Sequence, residues 1–193
     1  MTPRKPTTWR QEGDDALHKL RPFITRESIV ERVAELGRQI TQDFVGEQIL
    51  LLAVLKGAAI FLADLVRNIE VDATFDFIAV SSYGEHVQHS GEVKLLKDVD
   101  ESLEGRNIIL VEDIVDTGLT LSYLKNLLQA RRPKQVKIAA LLDKPSRRVR
   151  PVEVDYVGFV IPNEFVVGYG MDLAERYRIL PGIFILESAP DAM

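Results

Sequence analysis

The chain has 193 residues, of which 46% are hydrophobic and 27% are charged, and this composition is typical of a soluble globular protein of about one domain. A net charge of −5 gives no electrostatic support to a nucleic-acid or membrane-surface partner, and the absence of cysteine excludes disulfides and thiolate chemistry. The longest apolar region, residues 49–62, is interrupted by Lys56-Gly57 and is too short to cross a membrane. The basic N-terminus is not followed by an apolar segment of the secretory type, so we expect a cytoplasmic protein.

The first half of the chain predicts an arm, a helix and a strand–loop–helix unit. Residues 1–22 are polar and are interpreted as an N-terminal arm, whereas residues 23–193 are interpreted as a single domain. Thr25 suits the N-cap of a helix that ends near Gly46. The apolar stripe of this helix consists of Ile29, Val33, Leu36, Ile40 and Phe44. The uninterrupted apolar run Ile49–Leu55 favours a strand buried on both faces, and a helix from about Ala59 to Asn68 follows Lys56-Gly57.

The middle of the chain predicts a further strand and a long polar connection. The strand covers Thr74–Val80, and the polar stretch extends from Glu85 to about Glu104. Connections of this length in compact domains are usually lids or disordered segments. His86 and His89 have no third ligand nearby in the sequence, so we reject a metal site there.

The most informative stretch begins with the apolar run Ile108–Val111, which predicts another buried strand. Two carboxylates, Glu112 and Asp113, follow it directly. Next comes a small polar turn, Asp116-Thr-Gly-Leu-Thr120, and then leucines at helical spacing up to the neighbourhood of Pro133. The predicted order is strand, acidic end, turn and helix.

This order suits a sugar phosphate. Ligands of open parallel sheets bind beyond the carboxyl ends of the strands, and the start of a helix offers unpaired N–H groups and a positive dipole end. Gly118 lets the backbone approach a phosphate, to which the Thr117 and Thr120 hydroxyls can donate. Glu112 and Asp113 repel phosphate but suit sugar hydroxyls or a hydrated magnesium ion.

The last third of the chain predicts three short strands, at Val136–Leu142, at Asp155–Ile161 and at Ile183–Leu186. Lys144 places a cation just after the first of them. Arg147, Arg148 and Arg150 are interpreted as a solvated basic rim.

The segment Val111-Glu-Asp-Ile-Val-Asp-Thr-Gly-Leu-Thr120 resembles the phosphoribosyl-diphosphate signature of the type I phosphoribosyltransferases, and the chain more narrowly resembles the hypoxanthine-guanine phosphoribosyltransferases. An ordinary strand-to-helix turn with surface acids is the simpler alternative. A P-loop enzyme is excluded because no G-x-x-x-x-G-K-[ST] sequence occurs. The resemblance implies an α/β fold with a mostly parallel twisted sheet flanked by helices, and a small hood region built from the termini.

The resemblance also implies a purine salvage reaction and a set of site residues. The chain would transfer the phosphoribosyl group of phosphoribosyl diphosphate to hypoxanthine or guanine, with Mg²⁺ as cofactor and as a homodimer or homotetramer. Asp116 would be the catalytic base. Phosphoribosyl diphosphate would contact Lys56, Gly57, Ser82, Tyr83, Glu112, Asp113, Asp116, Thr117, Gly118, Leu119, Thr120 and Arg178. The purine would contact Lys144, Phe165, Val166 and Asp172, and the metal would be held through Glu112, Asp113 and Asp172.

Two structural features come from the resemblance alone. The peptide bond between Leu55 and Lys56 would be cis. A loop at about residues 83–104, carrying Ser82 and Tyr83 at its start, would close over the diphosphate and exclude water.

Three alternatives stay open. A regulatory protein of the same fold would bind RNA or DNA and use phosphoribosyl diphosphate as an effector, but it would need a basic face. A phosphoacceptor signalling domain would need an acidic pair after the first strand, where Lys56-Gly57 stands. Within the enzyme interpretation, xanthine is the further candidate base.

Overall fold

The computed structural model describes residues 20–82 and 93–187, which form one six-stranded and one three-stranded sheet with three α-helices. The helices are α1 (Arg26–Asp43), α2 (Ala59–Leu65) and α3 (Leu119–Gln129). The large sheet contains, in spatial order, β4 (Val93–Lys97), β3 (Ala73–Ser82), β2 (Ile49–Leu55), β5 (Asn107–Val115), β6 (Gln135–Asp143) and β7 (Tyr156–Val160). Its strands pair in parallel except β4, which is antiparallel to β3. This confirms the predicted α/β architecture.

The small sheet joins the two ends of the described chain. β9 (Ile183–Leu186) lies between β1 (Leu20–Ile24) and β8 (Val166–Val167), and both pairings are antiparallel. The predicted hood of terminal segments corresponds to this sheet. β1 begins at Leu20, so the predicted boundary at residue 23 falls inside a strand, and residues 1–19 lie outside the described residues.

The central strands are uninterruptedly apolar because both of their faces are covered. Along β2, Leu51 and Ala53 belong to the core beneath α1 and α2, whereas Leu50 and Leu52 belong to the core beneath α3. All four side chains are at most 4% exposed. Two helical layers on one parallel sheet produce this pattern.

Helix α1 forms as its sequence predicts. The Thr25 hydroxyl accepts a hydrogen bond from the backbone N–H of Ser28 at 3.2 Å, which satisfies a free donor of the first turn. The stripe of the helix is almost completely buried. The helix ends at Asp43, three residues before Gly46, whose φ of 76° is easily reached by glycine.

Two predicted segments differ from the structure. Residues 93–97, inside the predicted lid loop, form β4: Leu95 packs on the core, Lys94 and Leu96 are exposed, and Lys97 pairs with Asp76 at 3.2 Å. The sequence hides this strand, because Leu96 occupies an exposed position and Lys97 a partly buried one. Strand β5 continues four residues past Val111, so Glu112 and Asp113 lie within the strand, because backbone pairing with β6 extends to Val115. The remainder of the lid prediction, residues 83–92, lies outside the described residues.

The strand order creates one natural ligand crevice. The chain moves from β2 to β3 on one side and later fills the other side with β5, β6 and β7, so the order reverses between β2 and β5. Ligands of open α/β sheets bind at such a point, beyond the carboxyl ends of the strands.

None of the helices in residues 20–82 and 93–187 is long and apolar enough to cross a membrane.

Candidate active site

The loop after β2 packs tightly against the end of β5. The peptide bond Leu55–Lys56 is cis, as predicted. A Cβ atom added to Gly57 would collide with the carboxylate of Asp113, and one added to Gly170 would collide with the carbonyl oxygen of Gly57. Glycine at both positions therefore lets the β2 loop, strand β5 and the segment after β8 converge at the crevice.

The two adjacent carboxyls of β5 are held in an unfavourable environment for charge. Burial, with the neighbouring Asp113 as a second cause, raises the pKa of Glu112 well above its usual range. Burial likewise raises the pKa of Asp113 to about 6, against hydrogen bonds from backbone N–H groups and the attraction of Arg178. The Oε2 atom of Glu112 is buried and has no hydrogen-bond partner in the described part of the chain. Unpaired buried polar atoms are costly and call for a missing partner.

The turn between β5 and α3 forms a small cradle. Gly118 has a φ of 80°, and a Cβ there would also collide with the carbonyl oxygen of Arg150. The N-cap residue of α3 is Gly118, which has no side chain to cap the helix. The N–H of Leu119 lies 3.5 Å from the Thr117 hydroxyl, whereas within the described residues the N–H groups of Thr120 and Leu121 have no acceptor and are left for a ligand. A half-open pocket lies here and is lined by Glu112, Ile114, Val115, Asp116, Thr117, Gly118, Thr120 and Leu121. Leu119 is the first residue of α3.

The segment after β6 packs against this cradle from outside. Arg147 is exposed, as predicted for a solvated rim, whereas the position of Arg148 corrects that interpretation. Arg148 is largely buried, because its guanidinium pairs with Asp143 and donates to the carbonyl oxygen of Asp116 at 2.6 Å. Arg147 pairs with the Asp116 carboxylate, with 3.1 Å between Nε and Oδ1. Arg150 is exposed as predicted, although its backbone N–H donates to Thr117. The sequence hides these contacts because they join residues about thirty positions apart.

The predicted base-binding residues lie at the ends of β6 and β8. Lys144 is only 6% exposed, and burial lowers the pKa of its ammonium group. Its backbone N–H donates to Val115, which ties it to the end of β5. Phe165 is 44% exposed, a large apolar ring open to solvent, and the neighbouring Val166 is buried.

The segment after β8 contributes the remaining charges. Arg178 pairs with Asp172, with 2.8 Å between Nη2 and Oδ1, and donates from Nη1 to the carbonyl oxygen of Gly170. Glu175, which the sequence prediction missed, pairs with Lys56 at 3.1 Å and lies 3.5 Å from Arg178. Its only sequence signal was its position three residues before Arg178.

The structure bears only in part on the predicted contacts of Ser82 and Tyr83 and on the predicted metal site. Ser82 ends β3, and Tyr83 lies outside the described residues. Among residues 20–82 and 93–187, no three His, Cys, Asp or Glu side chains are grouped to hold a metal ion. Asp172 lies near enough to raise the pKa of Asp113 by its charge, as the last of several causes.

Comparison with known proteins places this geometry in a family. Residues 24–174 match the model of the phosphoribosyl transferase domain. The chain is 51% identical over 167 residues to the hypoxanthine-guanine phosphoribosyltransferase of Bacillus subtilis, covering 86% of this chain and 93% of the relative. It is 49% identical to the bifunctional protein TilS/HprT of Listeria innocua, of whose length it spans 27%.

Solved structures agree with these sequence relatives. A hypoxanthine-guanine phosphoribosyltransferase of Bacillus anthracis, with a HEPES molecule in its active site, superposes with a TM-score of 0.81 at 52% identity, over 85% of this chain and 96% of the other. A hypoxanthine phosphoribosyltransferase of Staphylococcus aureus gives a TM-score of 0.83 at 43% identity, over 86% and 90% of the two chains. The protein therefore belongs to the phosphoribosyltransferase family and, within it, to the hypoxanthine-guanine phosphoribosyltransferases.

Proposed function

We propose that the protein transfers the 5-phosphoribosyl group of phosphoribosyl diphosphate to hypoxanthine or guanine in purine salvage. The products are pyrophosphate and IMP or GMP. The observation that carries this proposal is the pairing, at the switch point of the sheet, of an uncapped helix start with two buried carboxyls. The two features match the phosphate and the hydroxyls of one sugar phosphate.

The turn from Asp116 to Thr120 binds the 5′-phosphate. The uncapped N–H groups at the start of α3 donate to the phosphate oxygens, and the dipole of the helix favours their charge. The hydroxyls of Thr117 and Thr120, which line the same pocket, add further donors. Gly118 keeps the backbone close to the pocket.

Glu112 and Asp113 bind the ribose. Each carboxylate accepts a hydrogen bond from the 2′ or 3′ hydroxyl, and this supplies the unpaired Oε2 atom of Glu112 with its missing donor. Burial disfavours the charged forms of the two carboxyls before the sugar binds, and the ribose hydroxyls stabilise them afterwards.

The base binds between Lys144 and Phe165. The ammonium group of Lys144 donates to the exocyclic O6, Phe165 stacks on the ring, and the backbone at Val166 reads the base edge. N9 attacks the anomeric carbon as the bond to pyrophosphate breaks, and pyrophosphate leaves with the electron pair. Asp116 takes the proton from N7, a form of general base catalysis that typically contributes about 10²–10⁴-fold. Asp116 must leave Arg147 to do so.

Lys56 and Arg178 neutralise the departing pyrophosphate, and Arg178 can offer its buried, unpaired Nε as a further donor. Within the described residues the carboxylates are not grouped as a complete metal site. Mg²⁺ is commonly held by one or two carboxylates together with waters and substrate phosphates, and Glu112, Asp113 and Asp172 would supply oxygens of that kind. When bound, the ion offsets negative charge that develops on the pyrophosphate.

The direct test is a spectrophotometric assay of the purified protein with phosphoribosyl diphosphate, magnesium and one of five bases. Hypoxanthine and guanine should each give nucleotide, adenine and uracil should give none, and chelation of magnesium should abolish the reaction. Turnover of xanthine, relative to that of hypoxanthine and guanine, shows whether the pocket also accepts this third 6-oxopurine. Tight binding of phosphoribosyl diphosphate without turnover of any base would contradict the enzyme and favour a regulatory protein.

We further propose that the protein works in the cytoplasm as a homodimer or homotetramer. The location follows from its substrates, because phosphorylated sugars do not diffuse through membranes. The assembly is carried over from the resemblance, and light scattering after gel filtration measures it.

A further inference from the structure

One carboxylate holds both cations that the proposed function assigns to pyrophosphate. The Oε2 atom of Glu175 lies 3.1 Å from the Nζ atom of Lys56 and 3.5 Å from the Nη2 atom of Arg178. The two cations come from distant parts of the chain, one from the loop after β2 and the other from the segment after β8. Glu175 therefore sits where two anion-binding groups converge.

The backbone around Glu175 is shaped to bring it there. Ala174, Glu175 and Tyr177 have φ values of 50°, 64° and 76°, a left-handed region that side-chain-bearing residues seldom adopt. The backbone N–H of Glu175 donates to Oδ2 of Asp172 at 2.8 Å, and the other oxygen of that carboxylate pairs with Arg178. Strained backbone of this kind persists where the surroundings enforce it and is concentrated at functional sites.

We propose that Glu175 is an internal counter-anion that must be displaced by pyrophosphate, and that it thereby sets the affinity of the enzyme for the diphosphate group. A carboxylate and a diphosphate cannot share the same two cations without repulsion. Glu175 can leave at little cost, because its side chain is 65% exposed and its pair with Lys56, which is 67% exposed, is of the weak surface type. Its contact with the more buried Arg178 is longer, at 3.5 Å. The role weakens diphosphate binding and favours release of the product. This inference rests on the proposed function.

The test compares Glu175→Gln with the matched variant Glu70→Gln. Glutamine keeps the length and polarity of residue 175 and removes only the charge. Glu70 is exposed and lies before β3, at the opposite end of the large sheet, so its replacement removes the same charge without contact with the site. Affinity for pyrophosphate in the presence of magnesium is measured by titration calorimetry, and product inhibition by pyrophosphate is measured alongside.

We expect Glu175→Gln to bind pyrophosphate about threefold to tenfold more tightly than the unmodified protein, which is the range for the loss of one exposed ion pair and one longer contact. Glu70→Gln should bind as the unmodified protein does. A gain in affinity cannot come from local disorder of the turn, which would weaken binding.

Equal or weaker pyrophosphate binding by Glu175→Gln, in a protein whose unmodified form makes nucleotide, would overturn the role of Glu175 and leave the enzyme assignment intact. If the unmodified protein makes no nucleotide from any base, the proposed function fails first, and this inference fails with it.

Discussion

The carboxyl groups at the amino ends and at the carboxyl ends of the strands of the six-stranded sheet have opposite pKa shifts. At the amino end, Lys137 lies 2.9 Å from Asp43 and 3.0 Å from the hydroxyl of Tyr156, which itself donates to Asp43 at 2.7 Å. Hydrogen bonds from Tyr156 and Lys137 lower the pKa of Asp43. At the carboxyl end, burial raises the pKa values of Glu112 and Asp113. The amino end is satisfied within the protein, and the carboxyl end is left for a ligand to satisfy.

A second cluster at the amino end follows the same rule. Glu47 accepts hydrogen bonds from Lys134 and Asn107, and both lower its pKa, Lys134 more strongly. Acidic side chains are present at both ends, so residue type does not separate structural from functional positions. For these four carboxyls the direction of the pKa shift does: donors lower the pKa values of Asp43 and Glu47, whereas burial raises those of Glu112 and Asp113, as is common at functional sites.

The largest effect should come from Asp116→Asn. Loss of the base should lower kcat by about 10²–10⁴-fold while the binding of phosphoribosyl diphosphate stays nearly unchanged. Stability should change by less than about 0.5 kcal/mol, because the pair with Arg147 is exposed. The measurements are steady-state kinetics and calorimetric binding, with Glu153→Gln as an exposed control at the amino end of β7. A kcat near that of the control would remove Asp116 from its role.

The opposite result is expected for Lys137→Met at the amino end. This change removes a donor from Asp43 and Tyr156 and should lower the free energy of unfolding by about 1–3 kcal/mol, as measured in urea. The kcat and KM values of the variant should equal those of the unmodified protein. Since the folded-state pKa of Asp43 is lowered, its contribution exists above the unfolded value and is lost as the pH falls. The deficit of the variant should therefore shrink in acid, and an undiminished deficit at pH 3 would contradict this pairing.

Glu112→Gln sharpens the comparison because stability and function should move in opposite directions. The neutral amide removes the cost of burying a charged carboxylate and the repulsion with Asp113, and should raise the free energy of unfolding by about 0.5–2 kcal/mol, the usual range of a single stabilising substitution. Catalytic efficiency should fall because a ribose hydroxyl loses its charged acceptor. Thermal unfolding and kcat/KM report the two effects, and a variant that is both less stable and fully active would place Glu112 among the structural residues.

The smallest effect should come from Phe165→Leu. The exposed ring contributes little to the core, so stability should be retained. Lost stacking should raise the KM for hypoxanthine by about twofold to tenfold, with little change in the KM for phosphoribosyl diphosphate. Equal changes in both constants would indicate that the ring supports the whole site rather than the base.

The fold was predictable where one local signal dominates. The strands at Ile49–Leu55 and Ile183–Leu186 have the predicted boundaries, because uninterrupted apolar runs end at loops. The N-cap at Thr25 follows from a single side chain and its nearest N–H group. The cis bond before Lys56 came from the family resemblance, since no local pattern encodes it.

The rest of the site depends on contacts between distant residues. Glu175 and Lys56 are paired although they lie 119 positions apart in the sequence, and no periodic pattern predicts such a pair. The burial of Arg148 depends on Asp143 and on a backbone carbonyl of another loop. The strand β4 was hidden because it is short and its sequence does not alternate, with an apolar Leu96 at an exposed position and a charged Lys97 at a partly buried one.

The most direct test of the central claim is a crystal structure with phosphoribosyl diphosphate and magnesium bound and no base present. We expect the 5′-phosphate within about 3 Å of N–H groups in the turn from Thr117 to Thr120. We also expect the ribose hydroxyls on Glu112 and Asp113, and the diphosphate beside Lys56 and Arg178 with Glu175 turned away. A phosphate bound elsewhere, or a ribose that leaves the Oε2 atom of Glu112 without a partner, would contradict the claim that this end of the sheet is built for the sugar phosphate.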